Sequence, residues 1–424
     1  MVVIFFSFSI YNTIEESDIM KTTILDNGLK VITKNNPNSK ICTIGYIIKS
    51  GSYHENDDER GMAHVVEHMM FKGTIHRDYK QINQDIESVG GYLNACTSFE
   101  YTKYYCTMPK DQWQVGLDVM SDLLFNHTIP EDELKKELEV IKEEIYMYED
   151  DPSSYVFNEL NRKMFKKYPN RQPIAGTVES VSKFTRDGIL NFIERNYFPE
   201  NMVLLAVGNI NHEEIVDFVN KYMDKLNIQF NSYQIGYEPF VPHKMNGKLY
   251  KFKKRDVNQT HLQFGFFGPG YKHEDIVALD LLTTILGGNS SSILYNKIRE
   301  EKGLAYTVSV GMDVLPDVSL IIGYAGLNNK SNIIPDIEQI IFNIKDQLTE
   351  EKLEAAKRYS IGISEMALEG TSDVHNYLTL KIVNDDTKTF EDDMADIEKT
   401  TLDDLKRVAD KYLNKENLCY VKLN

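Results

Sequence analysis

The chain has 424 residues, of which 47 are Lys or Arg and 64 are Asp or Glu, so its formal charge is −17. This length accommodates two or three domains that each bury a core, and the acidic balance argues against a nucleic-acid surface, which needs clustered Lys and Arg. The four cysteines are dispersed and form no CxxC pair, so neither a cysteine zinc site nor a disulfide framework is indicated.

The first 19 residues differ from the rest of the chain. They contain an unusual apolar stretch, MVVIFFSFSIY, which is too short to span a bilayer and lacks the basic residues that open a signal peptide. We therefore expect a cytoplasmic protein with no membrane partner and a first domain that begins at Met20. Residues 1–19 are then either a dispensable N-terminal arm or the result of a mis-set start.

Strand and helix patterns alternate through the first half. Strand patterns cover 22–33 and 41–50, with the turn dipeptide Asn27-Gly28 inside the first. Helical patterns cover 61–71 and 81–89, and a Gly90-Gly91 break leads into an aromatic, Thr-rich strand region over 92–108. A long helical pattern then runs over 111–148.

The second half repeats this outline after a stretch with two prolines and no sustained period. It shows a strand at 260–267, a helix at 275–286, a glycine break, a helix to 302 and strands over 305–324. The absence of a regular βαβ rhythm favours an α+β fold of two similar α/β units in tandem, each a mainly antiparallel sheet packed with helices. The predicted limits are a first domain over 20–228, a linker over 229–246 and a second domain over 247–424.

The most informative residues are His64, Glu67 and His68, in the sequence HVVEH. On a helix, positions i and i+4 lie one above the other, so the two imidazoles can bind one ion, with the glutamate beside them. Zinc favours neutral nitrogen ligands, and HxxEH is the inverse of the more familiar HExxH. Chance produces this pattern roughly 0.02 times in a chain of this length. The alternative interpretation is a surface helix with two unrelated histidines.

Seven acidic residues lie between 131 and 148. At about 100° per residue, Glu137 and Glu144 fall together on the edge of the apolar stripe of this helix, whereas Glu139 and Glu143 point to solvent. Because an isolated buried charge is costly, the first two carboxylates need a cation or another partner. The alternative is an ordinary acidic helix that is neutralised by its own lysines.

These residues resemble the pitrilysin family of inverted zinc metallopeptidases, which includes the mitochondrial processing peptidase and its small bacterial relatives. The resemblance implies that His64, His68 and Glu144 bind one Zn²⁺ per chain and that Glu67 is the general base of an endopeptidase for short or unfolded peptides. It covers nearly everything after Met20 and rests on the stretches LDNGLKVI, GSYHENDDERGMAHVVEHMMFKGT, GGYLNACTSFEYTKYY, EVIKEEIYMYEDDP and LGGNSSSILYNKIREEKGLAYTVSV.

The same resemblance gives roles to residues in both halves. It implies that Glu137 orients a ligating imidazole and that Asn94 and Ala95 lie on an edge strand that pairs with the peptide substrate. Arg299 and Tyr306 correspond to a pair placed against the substrate carbonyl. Because long members of the family have four such units and this chain has two, the resemblance implies a dimer. Some relatives pair unlike subunits, one of which lacks the metal motif, but this chain retains both motif sets, so a homodimer is favoured. It would close a chamber between the zinc half of one chain and the Arg/Tyr half of the other.

Two other functions remain open. The family contains subunits that keep the fold and lose the chemistry, so a noncatalytic scaffold or binding subunit is one alternative. A zinc-storage protein is another, although it would leave Glu67, Asn94, Arg299 and Tyr306 without a function. The acidic balance makes basic peptides plausible substrates, but a negative surface also serves solubility.

Overall fold

A computed structural model describes residues 20–166, 172–226, 240–253, 257–328 and 332–424. The predicted N-terminal arm over 1–19 and most of the predicted linker lie outside these residues. The predicted domain limits stay a prediction. Within the described ranges, none of the helices combines the length and the apolar character required to cross a bilayer.

The first half builds a six-stranded sheet in the order β1-β2-β6-β3-β5-β4. Strands β2 and β6 are parallel, and the other neighbours are antiparallel, as predicted. Strand β4 therefore forms one edge. The strands are β1 (Met20–Ile24), β2 (Lys30–Asn35), β3 (Ile41–Ile48), β4 (Tyr92–Thr97), β5 (Thr102–Pro109) and β6 (Met202–Gly208).

The second half builds a five-stranded sheet in the order β7-β11-β8-β10-β9. Its strands are β7 (Lys248–Phe252), β8 (Thr260–Pro269), β9 (Ala305–Val314), β10 (Val318–Leu327) and β11 (Leu418–Leu423). Here β7 and β11 form the parallel pair, and the remaining neighbours are antiparallel. Without the additional strand β1, the first sheet has the same order and the same strand directions. The tandem repeat of an α+β unit is thus confirmed.

The helices pack on the faces of the two sheets. In the first half they are α1 (Met62–Met70), α2 (Tyr79–Ser88), α3 (Trp113–Phe125), α4 (Glu131–Asp150), α5 (Pro152–Met164), α6 (Val178–Val181), α7 (Arg186–Asn196) and α8 (His212–Met223). In the second half they are α9 (Ile276–Thr283), α10 (Ile334–Phe342), α11 (Glu350–Ala367), α12 (Thr371–Val383), α13 (Phe390–Lys399) and α14 (Leu402–Tyr412). Two π-helical segments follow α9, at Thr284–Gly288 and Tyr295–Glu301.

Two predicted elements are corrected. The helix predicted over 111–148 is wrong, because the chain turns between α3 and α4, where Ile129 has a φ of 45° and Pro130 precedes the first residue of α4. A proline is tolerated at a helix start but interrupts a continuous helix. The strand region predicted over 92–108 is a hairpin, formed by β4 and β5.

Each half also covers part of the sheet of the other half. Helix α5 packs on β8 and β11, and helix α12 packs on β3 and β6. Polar contacts join the halves as well, since the hydroxyl oxygens of Thr43 and Thr371 are 2.9 Å apart. Because α5 directly follows α4, this exchange brings the second sheet close to the helix that carries Glu144.

Candidate metal centre

Helix α1 is fixed at its N-terminus by a buried carboxylate that the sequence analysis did not identify. Glu55 accepts hydrogen bonds from the backbone N–H groups of Gly61, at 3.0 Å, and Ala63, at 2.9 Å. Gly61 has a φ of 99°, and a Cβ there would lie 2.7 Å from the carbonyl oxygen of Ala175, so this position requires glycine. The face of α1 that points away from the two histidines is buried, and it consists of Val65, Val66, Met69 and Met70.

The structure brings His64, His68 and Glu144 together. Glu144 Oε2 lies 3.7 Å from His64 Nε2 and 3.6 Å from His68 Nε2. One ligand atom of each residue lies within 4.8 Å of the others, and among the described residues this is the only such group of three. Ligand atoms about 2.1 Å from a tetrahedral zinc ion are roughly 3.4 Å apart. The observed spacing therefore fits an ion of this size.

The two imidazoles have different surroundings. Burial and, secondarily, the neighbouring His68 lower the pKa of His64 to about 3, so this ring is neutral, as a metal ligand must be. Its Nδ1 is buried and has no hydrogen-bond partner among the described residues. His68 instead donates from Nδ1 to Glu137 Oε1 at 2.9 Å, which directs its Nε2 towards Glu144.

Glu137 occupies the orienting position that the resemblance implies. Its other oxygen, Oε2, lies 2.5 Å from Lys72 Nζ. Burial raises the pKa of Glu137, but the hydrogen bonds from His68 and Lys72 outweigh burial, and the net effect is a lowered pKa. The carboxylate therefore remains charged beside the imidazole. Lys72, which follows α1, was not identified from the sequence.

Glu67 projects into the same site and is held by strand β4. The hydroxyl of Thr97 donates to Glu67 Oε2 at 2.5 Å, and the backbone N–H of Thr97 adds a second hydrogen bond to the carboxylate. Burial raises the pKa of Glu67, whereas these hydrogen bonds act in the opposite direction. Thr97 lies in the stretch GGYLNACTS, but nothing in that stretch indicates its contact with Glu67.

The candidate metal centre opens into a cavity of about 790 Å³ between the halves. Its walls include α4, α5 and residues 172–176 from the first half. The second half contributes Gln263, Ser309 and Tyr324. A cavity of this size accommodates several residues of an extended peptide or a small molecule.

Asn94 and Ala95 lie on edge strand β4, where the resemblance places substrate binding. In the described chain β4 pairs only with β5, so its outer edge is open to another strand. The Ala95 N–H donates to Asn94 Oδ1 at 2.9 Å, while Asn94 Nδ2 donates to the Tyr92 hydroxyl at 2.7 Å. A peptide that pairs at Ala95 would have to replace the first of these bonds.

Arg299 and Tyr306 lie together, but not at the metal centre of their own chain. The Arg299 guanidinium is 5.2 Å from the centre of the Tyr306 ring and donates to the hydroxyl of Tyr295. Tyr306 is 76% exposed. Neither member of the pair is among the described residues that line the cavity.

Both halves of the chain are similar to known proteins. Residues 30–178 match the family model described as insulinase, peptidase family M16, and residues 183–359 match the one described as peptidase M16 inactive domain. An uncharacterized zinc protease of Rickettsia bellii is 36% identical over 337 residues, which are 78% of this chain and 80% of the relative. The uncharacterized zinc protease YmxG of Bacillus subtilis is 33% identical over 357 residues, 84% of this chain and 86% of the relative.

Solved structures share the fold at lower identity. The crystal structure of a protease from Helicobacter pylori matches with a TM-score of 0.90 and 24% identity, covering 96% of this chain and 99% of that chain. A peptidase M16 inactive domain from Pseudomonas fluorescens matches with a TM-score of 0.85 and 18% identity, covering 96% and 97%. The two-unit architecture is therefore common to all three chains.

Proposed function

The chain belongs to the M16 family of peptidases, and from this premise we propose that it is a zinc-dependent endopeptidase for short or unfolded peptides. One observation carries the proposal. His64, His68 and Glu144 place three ligand atoms within 4.8 Å of one another at the wall of a cavity, with Glu67 beside them. Three protein ligands leave one position of a tetrahedral ion for water, as catalytic zinc sites do.

In this proposal His64, His68 and Glu144 hold one Zn²⁺ per chain. When bound, the ion supplies a Lewis acid and lowers the pKa of its water towards about 7. Glu67, whose carboxylate Thr97 holds in place, would accept the proton of the attacking water and then deliver it to the nitrogen of the departing amine. Glu137 keeps the ring of His68 oriented throughout.

Peptide recognition in this proposal uses both backbone and charge. The open edge of β4 at Asn94 and Ala95 would pair with an extended substrate. Such pairing recognises the peptide backbone rather than its sequence. The formal charge of −17 supports attraction of basic peptides from a distance. A cytoplasmic location belongs to the same proposal, since all four cysteines are free.

We also propose that the active form is a homodimer with a closed chamber. Arg299 and Tyr306 do not line the cavity of their own chain, which supports a role at the metal centre of a partner chain. There they would stabilise negative charge on the carbonyl oxygen. Each chain of the dimer would then need Arg299 and Tyr306 of its partner to complete its active site.

A noncatalytic scaffold is the alternative, and one observation favours it. The second half matches a family model described as inactive, and the Pseudomonas fluorescens structure has the same description. That model covers residues 183–359, however, whereas His64, Glu67, His68 and Glu144 all lie in the range of the first model. The alternative therefore leaves the grouping of these four side chains without a function.

The test is mass-spectrometric mapping of the products that the zinc-loaded protein makes from a peptide library, with and without a chelator. We expect cleavage that the chelator abolishes. Glu67→Gln should retain zinc and lose roughly 10³-fold in turnover, because it removes the base and leaves the ligands. Glu143→Gln is the matched control, since Glu143 is exposed on α4.

Two results would overturn the proposal. Absence of cleavage by a fully zinc-loaded wild-type protein would favour the scaffold. Substantial cleavage by Glu67→Gln would show that Glu67 is not the base.

A further inference from the structure

One row of side chains on the second sheet faces the candidate metal centre. Tyr324 on β10 is the direct partner of Gln263 on β8 and of Ser309 on β9. Directly opposed residues on neighbouring strands project from the same face of a sheet. These three residues are the ones that the second half contributes to the cavity that contains His64 and Glu144. The second half thus supplies a wall to the site of its own chain.

Two buried amides line this side of the cavity, and one of them has an oxygen without a hydrogen-bond partner among the described residues. Gln263 is 4% exposed. Asn161, on α5, is also 4% exposed, and its Oδ1 has no partner within the same part of the chain. Buried amides are normally hydrogen-bonded, because an unmade bond forfeits the interaction with water. The unpartnered oxygen of Asn161, in a cavity that a second buried amide also lines, therefore points to a polar ligand that can donate a hydrogen bond.

The four polar residues of this wall are neutral, although Glu149 also lines the cavity and the charge of Asp151 acts on Tyr324. Asn161, Gln263, Ser309 and Tyr324 are all neutral groups that can donate or accept hydrogen bonds. Arg162, which also lines the cavity, donates to Glu159 at 2.6 Å. A cationic substrate side chain finds no carboxylate among these four residues, whereas an amide finds both donors and acceptors.

The hydroxyl of Tyr324 has a hydrogen-bond partner on the neighbouring strand β8. Its hydroxyl lies 2.8 Å from Nδ1 of His261, a residue on β8 two positions from Gln263. This contact fixes the tyrosine ring beside the amide of Gln263. The side chains of this row are therefore held in position before a ligand binds.

We propose that Asn161, Gln263 and Tyr324 form a subsite that binds an amide side chain, Gln or Asn, of the peptide held at the metal centre. This assignment rests on the proposed function, which makes the ligand a peptide, and adds a selectivity that the overall acidic charge does not predict. The net charge of the surface attracts basic peptides over a long range, but the side chains of the cavity wall select among bound peptides by direct contact.

The experiment measures binding rather than turnover. Zinc-loaded Glu67→Gln protein is titrated with short fluorescent peptides in which each position in turn carries Gln, Leu or Lys. At one position we expect Gln to bind about tenfold more tightly than Lys, because an amide can donate to Asn161 Oδ1 and also accept from a donor of the wall, whereas an ammonium only donates. Adding Gln263→Glu should reverse this preference in favour of Lys. Gln339→Glu, an exposed residue on α10, is the control for the added charge.

A second variant covers the case in which Gln263→Glu does not fold. Tyr324→Phe removes one hydroxyl and should lower the preference for Gln severalfold. Equal binding of Gln and Lys peptides at every position, or unchanged selectivity in a folded, zinc-loaded variant, would overturn the subsite. A wild-type protein that cleaves nothing would overturn the proposed function instead, while the binding titration still decides the subsite.

Discussion

The two halves of the molecule share one strand order but differ in the helix that follows the central strand of each sheet, β3 in the first half and β8 in the second. In the first half this helix is α1, which carries His64 and His68. In the second half it is α9, whose sequence IVALDLLT contains no histidine. The position of a helix in the fold therefore does not create a metal centre, which depends on the side chains that the helix presents.

Both helices are nevertheless anchored by a buried carboxylate. Glu55 holds α1 through backbone N–H groups, whereas Asp275, at the start of α9, accepts hydrogen bonds from Lys411 and the hydroxyl of Tyr412 on α14. Asp275 is fully buried. The comparison separates two roles that buried acids take in this fold, because these two fix helices, while Glu67 and Glu144 face the cavity.

The largest expected effect comes from removing a ligand in the first half. His68→Ala and Glu144→Ala should each lose bound zinc and all measurable turnover, because two remaining ligands hold the ion weakly. Elemental analysis and the peptide assay measure the two quantities. His76→Ala, which removes an exposed histidine, is the control. A full zinc content in both ligand variants would mean that the metal centre lies elsewhere.

The next prediction decides whether the second half acts on its own chain or on a partner. Tyr306→Phe should lower kcat about 100-fold with zinc content intact, since it removes one donor to the carbonyl oxygen. Mixing it with His68→Ala should restore about a quarter of wild-type activity in a randomly exchanged homodimer, where half of the dimers carry one intact site of two. No recovery after verified exchange of chains would place Tyr306 in cis or outside the mechanism.

A smaller effect is expected at the residue that orients His68. Glu137→Gln removes the charge that pairs with the imidazole and with Lys72, and such changes typically weaken metal affinity 10- to 100-fold. Competition with a zinc chelator measures this affinity. Glu139→Gln, on the exposed face of the same helix, should leave the affinity unchanged. Equal zinc affinities in the two variants would show that Glu137 does not contribute to metal binding.

The smallest expected effect is at Thr97. Thr97→Val keeps the shape of the side chain and removes the hydroxyl that donates to Glu67, while the backbone hydrogen bond remains, so kcat should fall about tenfold while KM and zinc content stay constant. Thr97→Ser should restore the rate. In a Glu67→Gln background, Thr97→Val should cause no further loss, because both changes act through one carboxylate. Additive losses would assign Thr97 a separate role.

The sequence by itself determined the parts of this protein that depend on local periodicity. The i, i+4 spacing of His64 and His68 defines one face of a helix, and the 100° rotation per residue places Glu137 and Glu144 on one edge of another. The repeated outline of strands and helices predicted the tandem α+β units, and the family comparisons and the two sheets confirm this prediction. These features are visible because each lies within one helix or recurs along the chain.

Only the tertiary structure decided which distant side chains meet. Glu55 reaches the start of α1 across a loop, Thr97 reaches Glu67 from a strand, and Lys72 reaches Glu137 from the end of another helix. The row of Gln263, Tyr324 and Ser309 depends on the register of three strands that are separated along the chain. Such contacts leave no local pattern, because they are fixed by how helices and strands pack rather than by how either repeats.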